Sequence, residues 1–131
     1  MLPKSILLVE DNCDDEFIAL RTLGKAGIAA ISVARDGQEA LDMLLAADQP
    51  LPEIVLLDLR LPVVDGLEVL ARLRRDERTK ALPVLILSSS EDPHDREVCS
   101  RLGVFASFRK PLKINELEQA LTDLQQTCPR M

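Results

Sequence analysis

Tryptophan and tyrosine are absent from this chain, and phenylalanine occurs three times in 131 residues. Without aromatic platforms, stacking on the bases of a single-stranded nucleic acid is excluded as a main activity. Basic residues are in short supply as well: 16 Lys and Arg stand against 22 Asp and Glu, a net charge of −6. That surplus of acid repels phosphate backbones, so nucleic acid is not an expected partner. The cysteines, Cys13, Cys99 and Cys128, are odd in number and far apart. They suit reduced thiols rather than a disulfide framework or a metal cluster. No apolar run approaches bilayer-spanning length, and residues 1–10 lead into a strand rather than a signal sequence. No membrane partner and a cytoplasmic location are therefore expected. Repeats, linkers and low-complexity segments are missing too, so residues 1–131 read as one domain with its core from about 4 to 126.

What is present is an alternation. The apolar runs Ile6–Val9, Ile54–Leu57 and Val84–Leu87 are too short for buried helices and predict strands, with weaker strands at Ile31–Ala34 and Phe105–Arg109. Helical spacing fills the gaps between them. Phe17, Leu20 and Leu23 mark one apolar face, and Ala40, Leu41, Leu44 and Leu45 a second. Leu67, Leu70, Ala71 and Leu73 mark a third, and Leu117, Ala120, Leu121 and Leu124 the last. Asp36 with Glu39 and Asp65 with Glu68 have capping-box spacing, and Asp92-Pro93 reads as a cap with a first-turn proline. Gly103 suits the end of the helix that follows. Five βα units imply an α/β fold, a parallel sheet with right-handed crossovers and helices on both faces.

In open parallel sheets, ligands sit beyond the carboxyl ends of the strands. Glu10, Asp11, Asp58, Ser88 and Lys110 all fall at such ends. Each has an ordinary explanation taken singly: a turn aspartate, helix-dipole acids, a loop serine, a solvated lysine. All five at one sheet edge are harder to dismiss. Two carboxylates roughly 4 Å apart repel by about 4 kcal/mol at an effective dielectric of about 20. A hard divalent cation removes that cost, and an all-oxygen acidic site suits Mg²⁺. Lys110 could clamp a phosphoryl group, Ser88 could hydrogen-bond one of its oxygens, and Asp58 could attack phosphorus. The chemistry suggested is formation of an aspartyl phosphate.

Four segments carry a resemblance: Val9-Glu10-Asp11-Asn12, Leu56-Leu57-Asp58-Leu59-x-Leu61-Pro62-x-x-Asp65-Gly66, Ile86-Leu87-Ser88-Ser89-Ser90 and Lys110-Pro111. In order, and with 47, 30 and 22 residues between Asp11, Asp58, Ser88 and Lys110, they resemble the CheY-like receiver domain of two-component response regulators. The likeness runs from Lys4 to about Gln126. A narrower one, to the stand-alone regulators beside phytochrome-type histidine kinases, rests on Glu10-Asp11-Asn12 and residues 74–83.

The resemblance implies a flavodoxin-like doubly wound (βα)5 sandwich with strand order 2-1-3-4-5. It implies that Asp58 accepts a phosphoryl group from a sensor histidine kinase of phytochrome type, with Lys110 and Ser88 contacting that group. Mg²⁺ would be held by Glu10, Asp11, Asp58 and the backbone carbonyl of Arg60, and the Lys110-Pro111 bond would be cis. Without an output domain, signalling would pass through protein–protein contacts, including a homodimer through helix 4, strand 5 and helix 5.

Three positions depart from, or tune, that pattern. Ser107 stands where many family members carry a switch aromatic; strand alternation turns Phe108 to the opposite face and leaves Phe105 on the Ser107 face near the strand's start. Arg60 and Ser90 stand at rim positions expected to face the phosphoryl group and set its lifetime, although an exposed arginine is as readily explained by a salt bridge to an acidic helix. An alternative is a Mg²⁺-dependent aspartyl-phosphate phosphatase on a related fold, which needs a second aspartate where this chain has Arg60. A flavodoxin-like cofactor binder is the other, and the acidic stretch Glu10–Asp15 would repel its phosphate.

Overall fold

The computed structural model of the chain describes residues 5–89 and 92–127; the rim serine Ser90 and Cys128 lie outside them. Each apolar run forms a strand, and each stretch of helical spacing a helix. In chain order these are β1 (Ser5–Val9), α1 (Cys13–Lys25), β2 (Ala30–Ala34), α2 (Gly37–Leu45), β3 (Ile54–Asp58), α3 (Gly66–Arg75), β4 (Val84–Ser88), α4 (Pro93–Arg101), β5 (Ala106–Arg109) and α5 (Ile114–Thr127). The sheet has the expected order β2-β1-β3-β4-β5, with every neighbouring pair parallel. Among the described residues no helix is long and apolar enough to cross a membrane.

Strands β3 and β4 are buried along their whole length, because helices cover both faces of the sheet. Period-two alternation divides their side chains between two layers. Ile6, Leu8, Ile54, Leu56, Leu85 and Leu87 pack towards α1 and α5. Leu7, Val9, Val55, Leu57, Val84 and Ile86 pack towards α2, α3 and α4. On the edge strand β5, Phe108 is buried in the α1–α5 layer while Ser107 is exposed, as alternation requires. Phe105 does not share the Ser107 face. It precedes β5, its N–H donates to the Val84 carbonyl, and its ring packs half-buried on the layer that holds Phe108.

A second expectation fails in α1. Phe17 does not contribute to the core and is 65% exposed. Leu23 is buried and Leu20 packs against the core as expected; the helix adds Ala19 and Thr22, giving a tight i, i+3, i+4 ridge in which the Thr22 hydroxyl donates to the Ile18 carbonyl at 3.0 Å.

Helix ends follow their caps with one exception. Asp36 accepts from the Glu39 N–H at 2.7 Å and Asp92 from the His94 N–H at 2.9 Å, with Pro93 in the first turn of α4. Asp65 starts α3 without a side-chain cap bond; the Gly66 N–H donates instead to the Leu59 carbonyl at 3.0 Å. Gly66 is required there. A Cβ at Gly66 would lie 2.3 Å from the Asp58 carbonyl oxygen, so α3 is seated directly on the end of β3. Beyond the sheet's other end, the Arg74 guanidinium on α3 gathers carbonyls. It donates to Leu102 at 2.6 Å and Gly103 at 3.1 Å, where α4 terminates, and to Leu82 at 2.8 Å before β4. Gly103 has φ 73°, a left-handed stop.

Candidate functional site

The carboxyl ends of β1, β3, β4 and β5 bring the predicted residues together. Asp58 closes β3 and is 4% exposed. Its Oδ1 accepts from the Arg60 N–H at 3.1 Å and its Oδ2 from Lys110 Nζ at 3.0 Å. Glu10 follows β1, fully buried, with Oε2 accepting from the Asn12 N–H at 3.2 Å. Asp11 is exposed beside it, and Glu10, Asp11 and Asp58 each offer an oxygen within 4.8 Å of the others. Asn12 fixes this turn by capping α1, its side chain accepting from the Asp15 N–H at 2.9 Å.

Lys110 follows β5. Its N–H donates to the Ser88 carbonyl at 2.9 Å, and the bond to Pro111 is cis. Its ammonium meets three carboxylates at once: Glu10 Oε1 at 2.8 Å, Asp15 Oδ2 at 2.9 Å and Asp58 Oδ2 at 3.0 Å. Asp15 and Asp58 accept hydrogen bonds from it, and Glu10 stands at ion-pair distance. Burial alone would lower the Lys110 pKa, but its bonds to Glu10, Asp15 and Asp58 outweigh burial and hold it above the ordinary lysine range.

Glu10 behaves in the opposite way. Burial pushes its pKa up from 4.5 to about 7, against the pull of Lys110, and the charge of Asp58 adds to the rise. Its Oε1 is near Lys110 Nζ but off the line of a hydrogen bond, and has no directed donor among the described residues. A buried carboxylate oxygen with an unused lone pair, beside two further carboxylates, is a donor set that fits a hard divalent cation.

Ser88 ends β4, buried, and its strand neighbour across the ladder is Arg109. Arg60 departs from its expected orientation. The side chain turns away from the acids towards α4, donating to Asp95 Oδ2 at 2.5 Å, with Asp92 Oδ2 at 3.9 Å. The salt bridge to an acidic helix is therefore the geometry present. Behind α4 lies a cavity of about 290 Å³ bordered by Ile86, Ser88, Asp95, Cys99 and Ser107.

Two site residues carried no clear signal in the sequence. Asp15 reads as ordinary first-turn acid on α1, yet it is the third partner of Lys110. Asp95 sits in the polar helix Pro93–Arg101 and is nonetheless buried. Its place after the Asp92 cap, about one turn in, was the available hint that it faces inward.

Known proteins resemble this chain along nearly all of its length. The family model of the response regulator receiver domain matches residues 6–122. The probable methanogenesis regulatory protein FilR2 of Methanothrix harundinacea is 38% identical, over 95% of this chain and 83% of its own. Among solved structures, the bacteriophytochrome response regulator AtBRR has a TM-score of 0.82 at 41% identity, covering 95% of this chain and 93% of that one. The receiver domain of the sensor histidine kinase PA1611 from Pseudomonas aeruginosa PAO1, with a magnesium ion coordinated in its active site cleft, has a TM-score of 0.79 at 30% identity. It covers 92% of this chain and 96% of its own.

Proposed function

The chain belongs to the response regulator receiver domain family, and on that premise we propose that Asp58 is its phosphoacceptor, loaded by a sensor histidine kinase. The observation that carries this reading is the 3.0 Å contact from Lys110 Nζ to Asp58 Oδ2, inside a cluster of carboxylates that needs a cation. In the transfer, an Asp58 oxygen attacks the phosphorus of an N-phosphorylated imidazole. The new O–P bond forms as the P–N bond breaks, and the imidazole leaves with the electron pair. Lys110 turns its charge on the phosphoryl oxygens. Ser88, at the end of the neighbouring strand, supplies a hydroxyl to the same group.

Glu10, Asp11 and Asp58, with the backbone carbonyl of Arg60, would hold Mg²⁺. When bound, that ion supplies the positive charge that offsets carboxylate repulsion and the charge on the transferred group. Arg60 cannot act as the general acid that a phosphatase of this type requires two residues past the nucleophile, because a guanidinium stays protonated. The names of similar structures, bacteriophytochrome response regulators, support a kinase of phytochrome type.

Incubation with acetyl phosphate and Mg²⁺, followed by intact-mass measurement, tests the core of this reading. One phosphoryl group is expected on the wild-type chain and none on Asp58→Asn. An adduct that survives Asp58→Asn sinks it.

A further inference from the structure

Asp95 raises a question that phosphoacceptor chemistry leaves unanswered. A carboxylate 6% exposed, on the polar helix α4, requires a compensating charge. Arg60 supplies it at 2.5 Å. Arg60 is two residues past Asp58, and its own N–H donates to Asp58 Oδ1 at 3.1 Å. The backbone that carries the guanidinium is thus fixed against the acceptor carboxylate, while the guanidinium itself, half-exposed, reaches across to α4.

Arg74 holds the C-terminal end of that helix through the Leu102 and Gly103 carbonyls, but side-chain burial along the rest of it is slight. Asp95 and Cys99 are the buried residues of α4. Beside them is the cavity of about 290 Å³ that Ser88 and Ser107 also border. With two buried side chains, α4 gains few dispersion contacts, so the ion pair to Arg60 weighs in the position of its N-terminal end.

A phosphoryl group on Asp58 would bring close to two negative charges and three acceptor oxygens within reach of the same guanidinium. Asp95 and the phosphoryl group then compete for one cation. Resting on the phosphoacceptor reading, we propose that Asp95 is a positioning residue. It holds the Arg60 guanidinium off Asp58 in the unmodified chain, and phosphorylation draws Arg60 away and unseats α4. The same competition sets the lifetime of the phosphoryl group, since an Arg60 held by Asp95 leaves the line of attack open to water.

The test is a double-mutant cycle on decay of the adduct, joined to hydrogen exchange of the α4 amides. Asp95→Asn is expected to lengthen the phosphoryl lifetime roughly fivefold, the factor equivalent to one partly buried ion pair, and to have no effect in an Arg60→Ala background. Phosphorylation is expected to speed exchange in residues 95–101 of the wild type, and Arg60→Ala to show the faster exchange before any phosphoryl group is added. The same lifetime change in both backgrounds, or α4 exchange indifferent to phosphorylation, overturns the coupling. A wild-type chain that takes up no phosphoryl group overturns the reading of Asp58 itself, a separate outcome seen by mass.

Discussion

On the β5 side of Asp58, the Lys110 side chain is 12% exposed and meets three carboxylates within 3.0 Å. On the α4 side, the Arg60 side chain is 51% exposed and depends chiefly on Asp95. Lys110 touches Asp58, the proposed acceptor, through its side chain, and Arg60 touches it through its backbone N–H. Lys110 cannot leave without stranding a buried Glu10 and Asp58, which is costly in a low dielectric. Water already solvates half of Arg60, so it can change partner at a lower cost, provided α4 shifts to let the buried Asp95 reach water. One cation is suited to hold a product in place, and the other to report that it has arrived.

Lys110→Ala breaks the comparison most directly. Stability of the metal-free protein near pH 7.5 should fall by about 3 kcal/mol, the usual cost of removing one partner from a buried ion pair. Urea unfolding measures it, and an unchanged midpoint would mean that the ammonium is no more anchored than Arg60.

The next effect is a pH dependence from Glu10. Its pKa rises from 4.5 to about 7 in the folded chain, so the native state binds the proton more tightly than the unfolded state. The stability this confers is complete below pH 4.5 and lost as pH rises through 7, up to about 3 kcal/mol. Glu10→Gln should remove that decline from metal-free unfolding curves, and Mg²⁺ should flatten it in the wild type. A wild-type and variant pair with parallel pH profiles would place the strain elsewhere.

Smallest is Arg60→Ala, which should cost about 1 to 2 kcal/mol in the same assay, since the stranded Asp95 reaches water once the N-terminal end of α4 loosens. A loss as large as that of Lys110→Ala would erase the difference between the two sides.

Much of this was legible in the sequence, and the failures have physical causes. Four-residue apolar runs ending in Glu10, Asp58 and Ser88 announce strands whose tips share an edge, and parallel topology then brings Lys110 to them. Phe17 misled because hydropathy weighs a phenylalanine heavily and an Ala–Thr ridge hardly at all. Packing chose the ridge of Ala19, Thr22 and Leu23, which lets α1 approach the sheet closely. Asp15 and Asp95 were hidden for another reason. An acid near a helix start is adequately explained by the dipole, and only tertiary placement reveals a buried cation or a guanidinium opposite it. The direction of the Arg60 side chain is likewise a property of what α4 presents, 35 positions further on.

The Arg74 guanidinium has a mechanical consequence. By binding the Leu102 and Gly103 carbonyls to α3, it pins the C-terminal end of α4, while Asp95 and Arg60 govern the other end. A rod fixed at one end does not drift; it tilts. Nine residues at 1.5 Å each give a lever of roughly 13 Å. Were Asp95 released as proposed, the fulcrum would be at Leu102–Gly103 and the greatest travel beside Asp58. Loosening the fulcrum by Arg74→Ala would turn a directed swing into undirected wandering, at the same chemical input.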